Sequence, residues 1–588
     1  MSKDGQKGFV PEWAKGIVWY HIFPERFCNG DPSNDPGLTD QKGSWPHDLE
    51  SPYEIHPWGS DWYERQPYEK DNGLNLSDAI QRRRYGGDLQ GIINKLDYLS
   101  DLGIKALYLN PVFEAPSSHK YDAATWHHVD PTFGPDPEGD RKIILTETPH
   151  DPSTWKWTSA DKLLLELIEK VHDYGMYIIL DGVFNHMGLN SWVYRDLVEN
   201  QRKSPYKKWM KVQKWADETE DGSTIIKTWE GFKELPEIKQ NRYGLVNEPA
   251  EYVFNITSRW MDPYNDGNTK KGIDGWRLDV AFCIKHPFWK KWRKHVRSIN
   301  PEAFLCAEII DTPESQIPYL QGDEFDAVMN YNFAFAASQF FIPGKTRFSP
   351  AELDERLRIL RESYPAEVAH VMHNLLGSHD TDRVASRITN SHLFTIRFWN
   401  EYYEKSKMVN PAYITSKPDD HARLIQKLMA VFQMTYIGAP VVYYGDEAGM
   451  WGANDPCNRK PMLWPEIEYD DEAVFLNEKE NKRNNVAFDK EMHSFYKELI
   501  HLRNREDALR TGDYETIICD NDKSLFGFRR MLNGDSIAVL FNMGESTQRI
   551  TSLKINEILL EFNTCIDSDA QDFELGPMSA MIYRENHA

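Results

Sequence analysis

The chain has 588 residues, of which 40% are hydrophobic, and it carries a formal net charge of −23. This length exceeds one ordinary domain and suits a large core with a smaller partner domain. The acidic balance argues against nucleic acid as a partner, and no apolar stretch approaches the roughly 18 to 20 residues of a membrane span.

Residues 1–15 are polar and lack the apolar core of a signal peptide. If Met1 is the natural start, the sequence predicts a cytoplasmic protein. A secreted or periplasmic protein whose signal has been removed is the alternative. The six cysteines show no CxxC spacing, which favours reduced thiols over disulfides.

Eight apolar, strand-like runs alternate with segments of helical periodicity along most of the chain. Eight such β-then-α units in succession predict a closed (β/α)8 barrel. The candidate strands are 17–23, 104–110, 176–185, 272–281, 303–309, 327–332, 369–376 and 440–445.

Three long connections interrupt this pattern. The first, residues 31–85, contains the basic triplet Arg82-Arg83-Arg84, which we expect on a solvated loop. The second, 134–158, carries four prolines. The third, 187–249, is predicted to be an inserted domain, because loops of this length are uncommon within a barrel. The barrel itself is assigned to residues 1–186 and 250–507.

Short β-like runs replace the helical periodicity after Arg505. They occur at 516–519, 525–528, 536–541, 548–550 and 580–583, with turn residues between them. The sequence therefore predicts a C-terminal all-β domain over residues 508–588.

Three of the predicted barrel strands lead into a carboxylate: Asp279 with Arg277 before it, Glu308, and Asp380 with His379 before it. Barrel enzymes surround their substrates with groups at the C-terminal ends of different strands. Two carboxyls on either side of a glycosidic bond are what hydrolysis of a sugar acetal requires. The pattern therefore favours a glycosidase.

Four ordered segments resemble the sequence regions of the α-amylase superfamily, glycoside hydrolase family 13. They are Asp-Gly-Val-Phe-Asn-His at 181–186, Gly-Trp-Arg-Leu-Asp at 275–279, Glu308, and Ser-His-Asp at 378–380. Segments around Leu235 and Tyr331 resemble the neopullulanase and cyclomaltodextrinase branch in particular.

The resemblance implies a retaining hydrolase of α-1,4 bonds in maltooligosaccharides, cyclodextrins or starch-type glucans. A glucanotransferase using the same site is one alternative, and a non-catalytic carbohydrate-binding homologue is another. The oligomeric state is left open.

The resemblance also implies roles for individual residues. Asp279 would be the nucleophile, held ionised by Arg277, and Glu308, in an apolar frame, would be the general acid. Asp380 would bind sugar hydroxyls, and Asp181 would support Arg277. Further substrate contacts would come from Tyr121, Asp122, His186, Arg277, His379 and Arg383.

A second set of residues is rich in oxygen ligands: Asn29, Asp31, Asn34 and Asp35, followed by Gly86 and Asp88. Ca²⁺ binds carboxylate, amide and backbone oxygens of this kind. Neopullulanase-like enzymes place a calcium at segments with this spacing, so the resemblance implies Ca²⁺ as a cofactor. A plain polar turn is the alternative.

Two residues depart from the pattern of the branch. Cys283 stands where an acidic residue is usual, four residues beyond Asp279, and Ile309-Ile310 stand where a Trp is frequent. Both changes remove contacts that an incoming sugar would need and a water molecule would not. The sequence therefore predicts that hydrolysis exceeds transglycosylation.

Overall fold

The computed structural model describes residues 8–70, 72–394, 399–475, 482–551, 554–564 and 573–585. Eight short parallel strands form its centre; seven lie within their predicted runs and the eighth begins one residue before its run. They are β1 (Trp19–Ile22), β2 (Ala106–Leu109), β3 (Tyr177–Gly182), β4 (Gly275–Leu278), β5 (Phe304–Ala307), β6 (Ala327–Val328), β7 (His373–Leu375) and β8 (Ala439–Tyr443).

The strands follow one another around the sheet in the order β6-β5-β4-β3-β2-β1-β8-β7. A parallel bridge between Met329 and His373 joins the end of β6 to β7 and completes the ring. The predicted (β/α)8 barrel is therefore confirmed. The strands are shorter than their apolar runs, since flanking residues such as Ala369 pack in other elements.

Aromatic rings fill the end of the barrel at which the strands begin. Trp19 opens β1, Phe304 opens β5 and His373 opens β7. The ring of Trp19 lies 5.2 Å from that of Phe304 and 4.6 Å from that of His373, between centroids. This packed end leaves the opposite end, where the strands finish, to admit a ligand.

Helices surround the barrel and bury one apolar face against it. In the helix Ser159–Asp173, Leu164 and Ile168 lie one turn apart and are fully buried. A capping box between Thr158 and Asp161 fixes the start of this helix. The α-helices are Leu76–Arg82, Leu89–Asn94, Leu96–Leu102, Pro137–Ile144, Ser159–Asp173, Trp192–Asn200, Asn247–Met261, His286–Ile299, Pro313–Gln316, Tyr331–Phe341, Pro350–Glu362, Ala366–Ala369, Val384–Thr389, Trp399–Lys405, Asp420–Thr435, Lys490–Arg505 and Asp507–Thr511. Within the described ranges, no helix combines the length and the apolar character that a membrane crossing requires.

The basic triplet of the first connection is buried, so its predicted place on a solvated loop is wrong. Arg82, Arg83 and Arg84 are each at most 3% exposed. Arg83 pairs with Glu69 at 2.8 Å, while Arg82 donates to the carbonyl of Pro52 at 2.7 Å. Each guanidinium offers five donors, which satisfy loop carbonyls that would otherwise be buried without partners.

The third connection is built from small elements. It contains the helix Trp192–Asn200 and two short antiparallel strand pairs, Val212–Lys214 with Ile225–Ile226 and Gln240–Asn241 with Gly244–Leu245. An antiparallel bridge between His186 and Glu237 ties it to the residues that follow β3. This connection therefore borders the end of the barrel at which the strands finish.

The C-terminal part is all-β, as predicted. Its strands are β9 (Asp513–Asp520), β10 (Leu525–Leu532), β11 (Asp535–Asn542), β12 (Ile555–Phe562), β13 (Ser579–Glu585) and the pair Gln548–Ile550 with Phe573–Leu575. Strands β9 to β13 form a five-stranded antiparallel sheet in the order β9-β10-β11-β13-β12, and the small strand pair accompanies it. The strand Ile555–Phe562 was not predicted, since most of its residues are at least partly exposed and it lacks an apolar core run.

Candidate active site

Four carboxylates lie at the end of the barrel at which the strands finish. Asp181 lies within β3, Asp279 follows β4 directly and Glu308 follows β5 directly. These three strands are neighbours in the sheet, so their ends bring the side chains together. Asp279 is 7% exposed and Glu308 is 5% exposed, whereas Asp181 is fully buried. Asp380, beyond the end of β7, has a side chain that is 28% exposed.

The buried guanidinium of Arg277 joins three of these groups. Its Nη1 lies 2.9 Å from each oxygen of Asp181 and 3.0 Å from Asp279 Oδ1. Its Nη2 lies 2.9 Å from Glu308 Oε1. Arg277 and Asp279 are two residues apart in an extended segment and project to the same side. The planar guanidinium therefore fixes the candidate nucleophile and the candidate acid relative to each other.

The negative charges of the cluster outnumber the positive charge of Arg277. Burial raises the pKa of Asp181 to about 6. Burial, and next the charge of Glu308, raises the pKa of Asp279, while Arg277 opposes both effects. Burial also raises the pKa of Asp380. Burial, and at Asp279 also the repulsion from Glu308, therefore favours protonation of Asp181, Asp279 and Asp380 relative to carboxyls in water.

The protonation of His379 follows from its neighbours. Asn110 Oδ1 lies 2.8 Å from His21 Nε2, and Asn110 Nδ2 lies 3.2 Å from His379 Nδ1. Because an amide nitrogen only donates, His379 Nδ1 accepts and Nε2 carries the proton. Burial lowers the pKa of His379, so the ring is neutral. Its Nε2 lies 2.7 Å from Tyr121 Oη and 3.0 Å from Asp380 Oδ2.

Asp181 has its acceptor positions filled by protein donors. The hydroxyls of Tyr108 and Tyr121 each donate to Asp181 Oδ2 at 2.8 Å, in addition to the contacts from Arg277. A carboxylate that is fully buried and fully bonded has no surface for a substrate. The geometry indicates that Asp181 holds Arg277 in position and does not contact a substrate.

Asp122 and Arg383, which were predicted to contact a sugar, are both buried and bonded to other residues of the protein. Asp122 is 2% exposed, and its carboxylate accepts the hydroxyl of Ser117. Arg383 has no exposed surface and donates to Tyr444 O at 2.7 Å and to Asp446 Oδ1 at 3.0 Å. Asp122 is thus bonded by a residue five positions away, whereas the partners of Arg383 are more than 60 residues away in the sequence.

Arg459 is the cation that the sequence analysis missed. It follows β8, and its Nη2 lies 3.5 Å from Asp380 Oδ1 while its Nε donates to the carbonyl of His379 at 2.9 Å. The contact spans 79 residues. No local motif marks the arginine, so only the folded arrangement identifies it.

An aromatic surface borders the position of Cys283. The ring of Trp229 lies 5.8 Å from that of His186 on one side and 5.8 Å from that of Phe232 on the other, and both pairs are stacked. Phe232 is 53% exposed and Phe282 is 47% exposed. Burial lowers the pKa of His186 to about 4 and raises that of Cys283 to about 11, so both are uncharged. The sequence analysis did not single out these aromatic residues.

The oxygen-rich residues of the first connection also come together, around Asp88. Its Oδ1 accepts the backbone N–H of Gly30 at 3.1 Å, and its Oδ2 accepts Asn34 Nδ2 at 3.0 Å. Asn29 Nδ2 donates to Asp35 Oδ1 at 2.7 Å. The side-chain oxygens of Asn29 and Asn34 are buried without a hydrogen-bond partner. Such orphaned acceptors are what a cation would satisfy.

Gly86 packs tightly against the side chains of this cluster, whereas the side chain of Asp31 bonds outside it. Gly86 has a φ of +75°, and a Cβ there would lie 1.9 Å from Asp35 Oδ1. Burial raises the pKa of Asp35 to about 6. The carboxylate of Asp31 instead accepts the backbone N–H of Ser33 at 3.0 Å, so its side chain caps its own turn.

Comparison with known proteins places the chain in a family. The sequence profile "Alpha amylase, catalytic domain" matches residues 21–147 and 158–512. Neopullulanase 2 of Thermoactinomyces vulgaris is 34% identical over 534 residues, covering 91% of this chain and 70% of that protein. A cyclomaltodextrinase of Geobacillus thermopakistaniensis (strain MAS1) is 32% identical, covering 92% of this chain and 71% of that protein.

A solved structure extends the likeness to the fold. The cyclic alpha-maltosyl-(1→6)-maltose hydrolase of Arthrobacter globiformis superposes with a TM-score of 0.68 at 28% identity, covering 98% of this chain and 100% of that chain. The chain belongs to the alpha-amylase family of glycoside hydrolases (family 13), with neopullulanases and cyclomaltodextrinases among its homologues.

Proposed function

We propose that the protein is a retaining α-glucan hydrolase that cleaves α-1,4-glucosidic bonds in maltooligosaccharides, cyclodextrins or starch-type chains. The observation that carries the proposal is the position of Asp279 and Glu308 on the two terminal nitrogens of Arg277. This arrangement provides two oriented carboxyls at an accessible end of the barrel. Double displacement at an acetal needs these groups.

In this mechanism Asp279 attacks the anomeric carbon and the sugar–aglycone bond breaks. Glu308 gives its proton to the leaving oxygen and then, as a carboxylate, removes a proton from the water that hydrolyses the glycosyl ester. Arg277 stays protonated throughout and holds both carboxyls in place. Two inversions at the same carbon leave the product in the α configuration.

Asp380 and His379 would bind the sugar whose bond is broken. Asp380 is the most exposed carboxylate of the cluster, and its two oxygens face the Nε2–H of His379 and the guanidinium of Arg459. Sugar hydroxyls would add to these contacts. A carboxylate beside a ring that gains positive charge would also stabilise the transition state.

A glucanotransferase is the second candidate. Trp229, Phe232 and Phe282 offer ring faces beside Cys283, and an acceptor sugar can stack on such faces. The uncharged thiol of Cys283 argues against a transferase, because a thiol cannot orient an acceptor hydroxyl as a carboxylate would. We therefore expect water to be the main acceptor.

The names of related enzymes support a glucan substrate. They include enzymes named for pullulan and for cyclomaltodextrin. The Arthrobacter globiformis hydrolase has also been solved in complex with cyclic alpha-maltosyl-(1→6)-maltose and with maltose. Linear and cyclic maltooligosaccharides are therefore the first substrates to test.

We also propose that Ca²⁺ binds the cluster around Asp88. The two orphaned amide oxygens and the raised pKa of Asp35 support a cation there. Asn29, Asn34, Asp35, Asp88 and the carbonyl of Gly86 would hold the ion. Asp31 would support the site indirectly, since its backbone N–H donates to Asp88 Oδ2 at 3.0 Å and so helps to position that carboxylate. The ion would fasten the first connection to the barrel and take no part in bond cleavage.

The test uses maltoheptaose, β-cyclodextrin, pullulan and sucrose with the unmodified protein and with Asp279→Asn and Glu308→Gln. We expect α-configured products on glucan substrates, and a loss of kcat by several orders of magnitude in each variant with substrate binding retained. Products of β configuration would exclude the retaining mechanism. Full activity in both variants would show that other carboxyls act, and no activity in the unmodified protein would favour a carbohydrate-binding homologue.

A further inference from the structure

Two adjacent histidines lie buried in the long connection between β2 and the helix Ser159–Asp173. His127 is 2% exposed and His128 is fully buried. Glu147 stands beside them with a fully buried side chain. Residues 148–157, which follow Glu147, fall in the gap between the two matched parts of the family profile. Trp155 from this segment stacks on His127 with 4.4 Å between ring centroids.

The side chains converge on one point. His128 Nε2 lies 2.9 Å from Glu147 Oε2, and His127 Nε2 lies 3.4 Å from the same oxygen. One ligand atom from each residue lies within 4.8 Å of the other two. Ligands at about 2.0 to 2.1 Å from a tetrahedral Zn²⁺ are about 3.3 Å apart. The two distances to Glu147 Oε2, 2.9 and 3.4 Å, are therefore close to those between zinc ligands.

The opposite ring nitrogens have partners of their own. His128 Nδ1 lies 2.8 Å from Asp161 Oδ2, and His127 Nδ1 lies 2.6 Å from the hydroxyl of Tyr252. A carboxylate or another polar group on the second nitrogen is the usual arrangement around metal-bound histidines, because it fixes the tautomer and the ring orientation. His127 Nε2 is buried and makes no hydrogen bond, although it lies 3.4 Å from Glu147 Oε2.

We propose that His127, His128 and Glu147 form a structural site for a Zn²⁺-type divalent cation, with water as the fourth ligand. Two imidazoles and one carboxylate are the donors that such a cation prefers, whereas Ca²⁺ takes oxygen ligands. The ion would fasten the segment 148–157 to the barrel. The site is separate from Asp279 and Glu308 and from the oxygen cluster around Asp88.

An arrangement without metal makes a different prediction. In it His128 would be a cation held between Glu147 and Asp161, with Arg259 Nη2 3.0 Å from Asp161 Oδ2. Such a salt bridge would bind no transition metal. The two arrangements are therefore distinguished by metal binding itself.

The experiment strips the full-length protein with a chelator, dialyses it, and titrates it with Co²⁺ as a spectroscopic substitute for Zn²⁺. We expect one equivalent of Co²⁺ to bind with the visible absorption of a tetrahedral site, and Zn²⁺ to displace it. His127→Ala and Glu147→Gln should lose this absorption. Tyr252→Phe removes the hydroxyl that bonds His127, Thr125 and the backbone N–H of Trp126 but leaves the three proposed ligands in place, so it should weaken binding about tenfold.

Controls separate this site from other binding. His421→Ala removes an exposed histidine and should leave the titration unchanged. Added Ca²⁺ should not displace the Co²⁺. Absence of the tetrahedral absorption in the unmodified protein, or an equal signal in Glu147→Gln, would overturn the proposal. Glu147→Gln is nearly isosteric, so it decides the matter even if His127→Ala fails to fold.

Discussion

At the scale of single residues, the candidate active site depends on one buried guanidinium. Arg277 contacts Asp181 and Asp279 through Nη1 and Glu308 through Nη2. A lysine would bring the same charge as a single point and could not hold three carboxyls in fixed directions. The geometry of the arginine is therefore as important as its charge.

We expect Arg277→Lys to lower kcat/KM on maltoheptaose by about 100- to 1,000-fold, the cost of losing one oriented electrostatic contact in an active site. Arg293→Lys is a matched control, since Arg293 is also buried but binds Asp326 at 2.7 Å. The control should keep its activity. Equal losses in steady-state assays of the two variants would contradict the special place of Arg277.

A second residue-scale prediction concerns the acceptor. Cys283→Glu should raise the yield of longer oligosaccharides at high maltotriose, because a carboxylate beside the exposed Phe282 would orient a sugar hydroxyl. Cys519→Ser, at an exposed position of the C-terminal sheet, is the control. Chromatography of the products gives the ratio of transfer to hydrolysis. Abundant longer products from the unmodified enzyme would refute the predicted preference for water.

The sequence identified the carboxylates but not all of their partners. Asp279, Glu308 and Asp380 follow apolar strands within recognisable motifs, so their common location was predictable. Arg459 reaches Asp380 from 79 residues away and has no local signal. Arg383 stands within a motif, yet it is turned toward Asp446. The direction of a side chain depends on distant partners, which a linear pattern does not contain.

At the scale of elements, the eight strands were predictable because buried parallel strands are continuous apolar runs. Their ends were not, since the apolar runs continue into neighbouring turns. The arginines at 82–84 were predicted to be exposed because they are charged. They are buried because Glu69 and backbone carbonyls of the folded connection bind their guanidinium groups, and the sequence pattern does not reveal these partners.

Asp35, in the first connection, should make the stability of the protein depend on pH. The folded-state pKa of Asp35, about 6, lies above the ordinary value of about 3.9 for an aspartate. The calcium-free protein therefore binds more protons than the unfolded chain between these values and loses stability as the pH rises through them. Ca²⁺ would bind the ionised form, so it competes with the proton.

We expect added Ca²⁺ to raise Tm more at pH 7 than at pH 5, by mass action on the folded state. Asn34→Ala, which removes one orphaned oxygen, should reduce the effect at both pH values. Differential scanning calorimetry after chelation measures it. A Tm that does not respond to Ca²⁺ at pH 7 would refute the calcium proposal and leave the hydrolase proposal untouched.

At the scale of the whole molecule, the C-terminal sheet is attached to the barrel through buried contacts. Arg530 in β10 is fully buried and donates to Thr435 O at 3.0 Å, Leu509 O at 2.8 Å and Gly512 O at 2.8 Å. Its neighbour Arg529 points to the other face of the strand and forms partly exposed pairs with Glu515 and Glu585.

We expect Arg530→Met to destabilise the protein by roughly 3 kcal/mol, since it leaves buried carbonyls without donors. Arg529→Met should cost less than about 1 kcal/mol, as exposed ion pairs do. Thermal unfolding of both variants, monitored by circular dichroism, gives the comparison. An equal change in the two variants would show that the contacts of Arg530 do not fix the sheet to the barrel.

The central claim, that Asp279 attacks the sugar while Glu308 serves as acid and base, has one direct test. A fluorinated glucosyl fluoride forms the glycosyl ester and releases it slowly, and Glu308→Gln slows the release further. Mass spectrometry of the digested protein then locates the sugar. The account predicts one glucosyl unit on Asp279. A label on another residue, or no covalent label while the substrate is consumed to a β-configured product, would contradict it.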